Sequence, residues 1–319
     1  MNHIVFLDGY TINPGDLTWQ TLEALGHFTV YDRTAPEEVL QRASEAEILI
    51  VNKTRLQRQH FEALPALRLV CVAATGYDGV DVQAAADHGV TVCNCAGYSS
   101  RAVAQLVVSL LLEVADAVGT YVQRNSEGMW CDSPDFCYTL TPRMELVGKR
   151  MAIVGFGNIG RAVANVMRPF GLQLFAVTSK HADQLPADVS PIGLEEAFAT
   201  CDVVSLNCPL TASNRAFVNA ALLAKANPRL ILINTARGAL VDEQAVADAL
   251  HTDRMLAYCA DVLKQEPPLP TCPLLSAPRA YITPHIGWAT PEARSRILSI
   301  LEANIRGFIA GTPQNVVRP

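Results

Sequence analysis

Residues 155–160 read Gly155-Phe156-Gly157-Asn158-Ile159-Gly160, and the residues on either side give that loop its meaning. The apolar run 151–154 leads in and predicts a buried strand. The pattern over 161–170 leads out and predicts an amphipathic helix. Strand, glycine loop and helix in that order describe a dinucleotide-binding βαβ unit. Gly155 permits the tight turn, Gly157 lets backbone approach a pyrophosphate, and Gly160 lets the helix sit close on the strand. The helix start, with Asn158 and Ile159, offers free N–H groups and a positive dipole end to phosphates. A glycine loop alone would say little; in this setting it commits the chain to an α/β architecture.

The rest of the chain extends that architecture in both directions. Strand-like runs stand at 4–7, 48–51, 69–73 and 90–93, with helical stretches at 36–45, 59–63 and 82–87 between them. This βαβ alternation predicts a parallel sheet. One long helix is expected over 100–122. A second series follows at 151–154, 173–177, 203–207, 230–234, 256–260 and 280–283. The expected fold is α/β with two doubly wound parallel-sheet domains, a Rossmann-type nucleotide domain and a flavodoxin-like substrate domain. The last helix, 291–310, comes after the second sheet is complete and is expected to cross back to the first. The domains are therefore expected to be 1–99 with 289–319 for substrate, and 100–288 for the dinucleotide.

Composition narrows the classes of partner. Half of the 319 residues are apolar and only 18% are charged, so two sizeable cores can form. The formal charge of −6, without blocks of like charge, argues against nucleic acid and acidic membrane surfaces. The apolar stretch 106–112 is too short to span a bilayer. The chain enters a strand at residues 3–7 with no basic leader. Nine cysteines lack zinc spacing; Cys71, Cys93, Cys201, Cys208 and Cys259 lie in apolar runs and are expected as reduced core residues. These features predict a cytoplasmic protein that uses no metal.

Three polar residues fall in loops after strands of the nucleotide domain, where ligands of open α/β sheets bind. They are Arg237 in Asn234-Thr235-Ala236-Arg237-Gly238, Glu266 in the segment 261–267, and His285 in Thr283-Pro284-His285-Ile286-Gly287-Trp288. Taken singly, each has a plain structural reading as a capping, turn or core residue. Together their chemistry fits. A histidine is the natural acid or base near neutral pH, and a glutamate against it favours the imidazolium. An arginine clamps a carboxylate through two hydrogen bonds and polarises a neighbouring carbonyl. At the end of the second nucleotide strand, a carboxylate usually accepts from the ribose 2′-hydroxyl of NAD. Here that position carries Thr178, Ser179 and Lys180. Hydroxyl donors and an ammonium suit a 2′-phosphate, so NADP(H) is expected slightly ahead of NAD(H).

The glycine loop, Asn234-Thr235-Ala236-Arg237-Gly238, Asp261-Val262-Leu263 with Glu266-Pro267, and Pro284-His285-Ile286-Gly287 together resemble the D-isomer-specific 2-hydroxyacid dehydrogenase family over nearly the full length. The resemblance implies that Arg237 binds substrate carboxylate and carbonyl, His285 is the acid/base and Glu266 tunes it. It implies that Asp261 lies near the nicotinamide carboxamide, and it places Pro209, Thr235 and Ala236 with the cofactor. The loop Ala74-Thr75-Gly76-Tyr77-Asp78 is similar to the one whose N–H groups hold the substrate carboxylate. Asn52-Lys53, Gly97-Tyr98-Ser99-Ser100, Gln105, Asp135-Phe136-Cys137-Tyr138 and the stretch 285–290 resemble the glycerate dehydrogenase/hydroxypyruvate reductase branch. Asn52, Lys53, Thr75 and Gly76 are thus the expected substrate residues beside Arg237. Gly287 departs from the alanine frequent in that branch, and Thr178 departs from the cofactor acid. The resemblance implies reduction of a small 2-keto acid, hydroxypyruvate or glyoxylate, by NAD(P)H, in a homodimer joined through the nucleotide domain. Two rival readings are a 3-phosphoglycerate-type dehydrogenase without a regulatory domain, for which Lys53 and Arg55 are the evident phosphate-binding candidates, and a nucleotide-sensing corepressor of the same fold.

Overall fold

Short, mostly apolar runs without polar alternation suit strands covered on both faces. Ile48–Val51, Leu69–Val72, Val203–Leu206, Ile231–Asn234 and Ala257–Ala260 are such runs, and every residue in them is buried. A computed structural model describes residues 2–319, which divide into two compact units, 2–98 with Trp288–Pro319, and Ser99–Gly287. Strands are numbered β1 to β13 in chain order.

The first unit holds β1 (His3–Phe6), β2 (His27–Val30), β3 (Ile48–Val51), β4 (Leu69–Val72) and β5 (Thr91–Asn94) in one sheet. Their order is β2-β1-β3-β4-β5, all parallel, which is the flavodoxin-like winding. The two-residue β13 (Val316–Val317) adds an antiparallel edge on β5. The helix Pro291–Ile309 belongs to this unit. Thr290 caps it by accepting from Ala293 N at 3.2 Å, and Ile297, Leu301 and Ile305 are fully buried. Arg294 on its inner face forks onto Asp16 at 2.7 and 2.6 Å and reaches Ile12 O at 3.1 Å. The guanidinium holds the Asp16 carboxyl below the usual carboxylate range.

The second unit holds β6 (Arg150–Val154), β7 (Gln173–Val177), β8 (Val189–Pro191), β9 (Val203–Leu206), β10 (Ile231–Asn234), β11 (Ala257–Ala260) and β12 (Ala280–Ile282). All pairs are parallel in the order β12-β11-β10-β9-β6-β7-β8. The order reverses between β6 and β9, the switch point where open α/β sheets bind ligands. The sheet has seven strands where the sequence suggested six, because the three-residue β8 carries too little pattern. The half-exposed β2 and the two-residue β13 escaped for the same reason. The expected helix over 100–122 is two helices, Ser100–Asp116 and Val118–Ser126, bent by 58°. The break is Ala117, which takes a left-handed φ of 50°. Alanine does not advertise that conformation as glycine would. No single helix among the described residues is long and apolar enough to cross a membrane. The apolar stretch noted at 106–112 packs instead on the helix after the glycine loop, with Val107 and Leu111 fully buried in one cluster with Val163 and Met167.

Candidate active site

The parallel register puts one residue from each central strand on the same row. Val154, Leu206, Asn234 and Ala260 are partners across β6, β9, β10 and β11. The residues that follow them, Gly155, Asn207, Thr235 and Asp261, therefore form a row at the carboxyl edge of the sheet.

The glycine loop starts that row. Gly155 has φ +91°, and a Cβ there would lie 2.6 Å from Cys208 N, so no other residue fits. A Cβ on Gly160 would lie 2.2 Å from Gly155 O, so the helix Asn158–Met167 is seated directly on the turn. Around Gly157 the space is open, with nothing within 4 Å of a Cβ position. Gly157 is also the N-cap, and no side chain caps the helix. Its first N–H groups stay available for an anion. Further along the row, Thr235 Oγ1 and Asn207 Oδ1 are buried without a hydrogen-bond partner among the described residues. An uncapped helix start, an open glycine cradle and unspent polar atoms fit a dinucleotide. Among the described residues no cluster of His, Cys, Asp or Glu could hold a metal ion.

After β7, Thr178 Oγ1 accepts from Lys180 N at 3.3 Å, and Ser179 is exposed. The Lys180 ammonium donates to Phe156 O at 3.0 Å, which fixes a positive charge on the glycine loop itself. Pro209 is exposed in the loop after β9, its carbonyl accepting from Asn214 at 2.8 Å.

The strand ends β10, β11 and β12 carry the rest. Arg237 is half-buried, and its Nη1 donates to Ala236 O at 2.8 Å. Gly238 meets the 263–264 backbone so closely that a Cβ would fall 1.9 Å from the Leu263 carbonyl carbon. That packing ties the Arg237 turn to the segment bearing Glu266. Glu266 Oε1 accepts from Leu263 N at 2.9 Å, and Oε2 stands 2.6 Å from His285 Nδ1. The pair is 34% and 27% exposed, screened but reachable. His285 has φ 56°, a left-handed conformation that a non-glycine residue holds only when its surroundings enforce it. Asp261, 3% exposed, does the enforcing. Its Oδ1 accepts from Thr283 Oγ1 at 2.6 Å and Ile286 N at 2.8 Å, and its Oδ2 from Gly287 N at 2.8 Å. Asp261, expected as a cofactor residue, thus spends most of its acceptor capacity on the histidine loop.

Asn52, Lys53, Thr75 and Gly76 lie in the other unit, after β3 and β4. Thr75 Oγ1 donates to Cys95 O at 3.1 Å, so the side chain is turned into the scaffold and the backbone is what the loop presents. Asp8 was missed from the sequence. Its carboxylate accepts from the backbone N–H groups of Asn52, Lys53 and Thr54 at 2.7, 2.6 and 2.7 Å and shapes that loop. An acid directly after the apolar run 4–7 was the available signal.

The model of the D-isomer-specific 2-hydroxyacid dehydrogenase NAD-binding domain matches residues 108–287, more than half of the chain. The chain belongs to the D-isomer-specific 2-hydroxyacid dehydrogenases. As a member of that family it is an NAD(P)-dependent oxidoreductase of 2-hydroxy and 2-keto acids. It is 41% identical to a hydroxypyruvate reductase of Blautia hydrogenotrophica over 318 residues, 98% of this chain and 99% of that one. It is 35% identical to a glycerate dehydrogenase of Methylorubrum extorquens over 317 residues, 98% of each. Among solved structures, an NADPH-dependent glyoxylate/hydroxypyruvate reductase from Sinorhizobium meliloti superposes with a TM-score of 0.85 at 26% identity, covering 99% of this chain and 98% of that one.

Proposed function

We propose that this dehydrogenase reduces hydroxypyruvate, with glyoxylate as a second substrate, and that NADPH serves it better than NADH. The single observation that carries the chemistry is the 2.6 Å contact between Glu266 and His285 in a loop that Asp261 braces. Glu266 occupies Nδ1, so Nε2 is the nitrogen that delivers a proton to the nascent alkoxide. The bound nicotinamide supplies the hydride. Arg237 clamps the keto-acid carboxylate and polarises its carbonyl, with the backbone at Thr75 and Gly76 and the Asn52-Lys53 loop completing substrate binding. Thr235, Ala236 and Pro209 would bind the dinucleotide, with Asp261 near its nicotinamide carboxamide.

The substrate reading rests on the relatives named for hydroxypyruvate and glycerate. The cofactor reading rests on Thr178 standing where a carboxylate would repel a 2′-phosphate, and on the Lys180 ammonium bound to the glycine loop. We also read the protein as cytoplasmic, and as a homodimer joined through the nucleotide domain, with residues 100–147 as the arm. Initial rates on hydroxypyruvate, glyoxylate, pyruvate and 3-phosphohydroxypyruvate, with each cofactor, test the proposal. Hydroxypyruvate with NADPH should give the highest kcat/KM. A preference for the phosphorylated acid would move the chain to the phosphoglycerate-type reading, and absence of turnover on all four would remove the reductase reading.

A further inference from the structure

The half-buried Arg237 reaches its position from a turn, and turns seldom hold a long side chain to the tolerance that catalysis needs. A misplacement of about 1 Å can cost 10²-fold in rate. Something must therefore stiffen residues 235–237. Asn234, the last residue of β10, is fully buried in a strand otherwise made of Ile and Leu. A buried amide in that company is costly unless each of its atoms is used. Its Oδ1 accepts from Ala236 N at 3.1 Å, and its Nδ2 donates to Arg237 O at 2.9 Å. The side chain thus brackets the peptide groups on both sides of the Arg237 turn. These two contacts also fix the amide's orientation, because a carbonyl cannot donate to a carbonyl.

We infer that Asn234 is a positioning residue for substrate, acting only through Arg237 by clamping the backbone that aims its guanidinium. The inference deepens the proposed reading of Arg237 as the carboxylate clamp and rests on it. Asn234 never meets the substrate. Its loss would let the turn relax, so that Arg237 keeps its charge but loses its aim.

A double-mutant cycle on the full-length enzyme tests this. Asn234→Ala should raise KM for hydroxypyruvate roughly ten- to hundred-fold and lower kcat, with a smaller rise in Kd for NADPH through the adjoining Thr235 and Ala236. Added to Arg237→Ala, it should do nothing further, because residues acting as one unit are not additive. Multiplying penalties in the double variant would show that Asn234 acts elsewhere and would overturn the inference. Native KM and kcat in Asn234→Ala would overturn it as well. Asn234→Asp serves if the alanine variant fails to fold. Its neutral acid form can still donate to Arg237 O, whereas its ionised form repels that carbonyl. The KM penalty relative to the native enzyme should therefore shrink as pH falls, and a penalty independent of pH would count against the clamp. Arg237→Ala with native KM would instead remove the underlying reading of Arg237.

Discussion

His285 has a buried scaffold behind it and an open nitrogen in front of it, and this division of labour decides what its loss should do. Glu266 takes Nδ1, while Asp261 holds the loop on both sides of the left-handed residue. Replacing His285 by alanine should leave the loop anchored, because the three donors to Asp261 come from Thr283, Ile286 and Gly287. kcat for keto-acid reduction should fall by about 10²–10⁴-fold while NADPH binding persists. Stopped-flow rates together with a cofactor titration check this, and near-native kcat would disprove the assignment. Glu266→Gln probes the other side of the pair. The amide keeps an oxygen for Leu263 N but removes the negative charge beside the imidazole. kcat for keto-acid reduction should fall while NADPH still binds, because the imidazole that donates the proton has lost the carboxylate that orients it and balances its charge. A native kcat would leave Glu266 with a purely structural role. These residues were legible because chemistry-bearing side chains stood directly after apolar strand runs. Asp8 and the bracket made by Asn234 were not legible. Asp8 serves loop backbone 44 to 46 positions away, and the role of Asn234 depends on a turn geometry that spacing does not report.

At the scale of elements, the proposed cofactor choice is read from β7 and its following turn, and the crossing helix bears on the integrity of the first unit. Thr178→Asp puts a carboxylate at the end of β7, close to the Lys180 backbone, where it would accept from a 2′-hydroxyl and repel a 2′-phosphate. The variant should lose affinity for NADPH by about ten-fold or more and bind NADH no worse. Competition titrations with the two cofactors decide it, and a native preference for NADH would mean that the loop is merely tolerant. The helix Pro291–Ile309 is pinned by Arg294 to Asp16. Because the native pair lowers the carboxyl below its ordinary range, its contribution is present above that range and disappears as pH falls through the lowered value. Asp16→Asn should therefore lower Tm by a few degrees at pH 7, with the gap to native closing below about pH 4. A gap constant with pH would mean that packing, not charge, holds the helix. Elements with strong periodicity were readable from sequence. Those missed are short or half-exposed, such as β8 and β2, and the hinge at Ala117 is written in no glycine or proline.

For the molecule as a whole, the open question is what covers the segment after that hinge. Val118, Val122, Met129, Trp130, Phe136 and Leu140 are all exposed, Phe136 at 90%. They follow one another within a single stretch of the second unit, and exposed apolar residues gathered in this way make that stretch the candidate interface of the proposed homodimer. Cys131 and Cys137 are exposed in the same stretch, whereas Cys71, Cys93, Cys95, Cys201 and Cys259 are buried and Cys208 and Cys272 are half-buried. Burial pushes the Cys93 thiol up to about 11 and the others of the core upward too, which leaves them unreactive at neutral pH. The two arm cysteines thus report on the arm's cover. In a homodimer joined there, light scattering should give twice the chain mass, and Cys131 and Cys137 should react slowly with a thiol reagent. Phe136→Asp together with Trp130→Glu places charge in the apolar surface. The double variant should run as a monomer, with both arm thiols reacting quickly and the core thiols still protected. Native enzyme that is monomeric, with two fast thiols, would show that the arm stays bare in solution and would end the dimer reading.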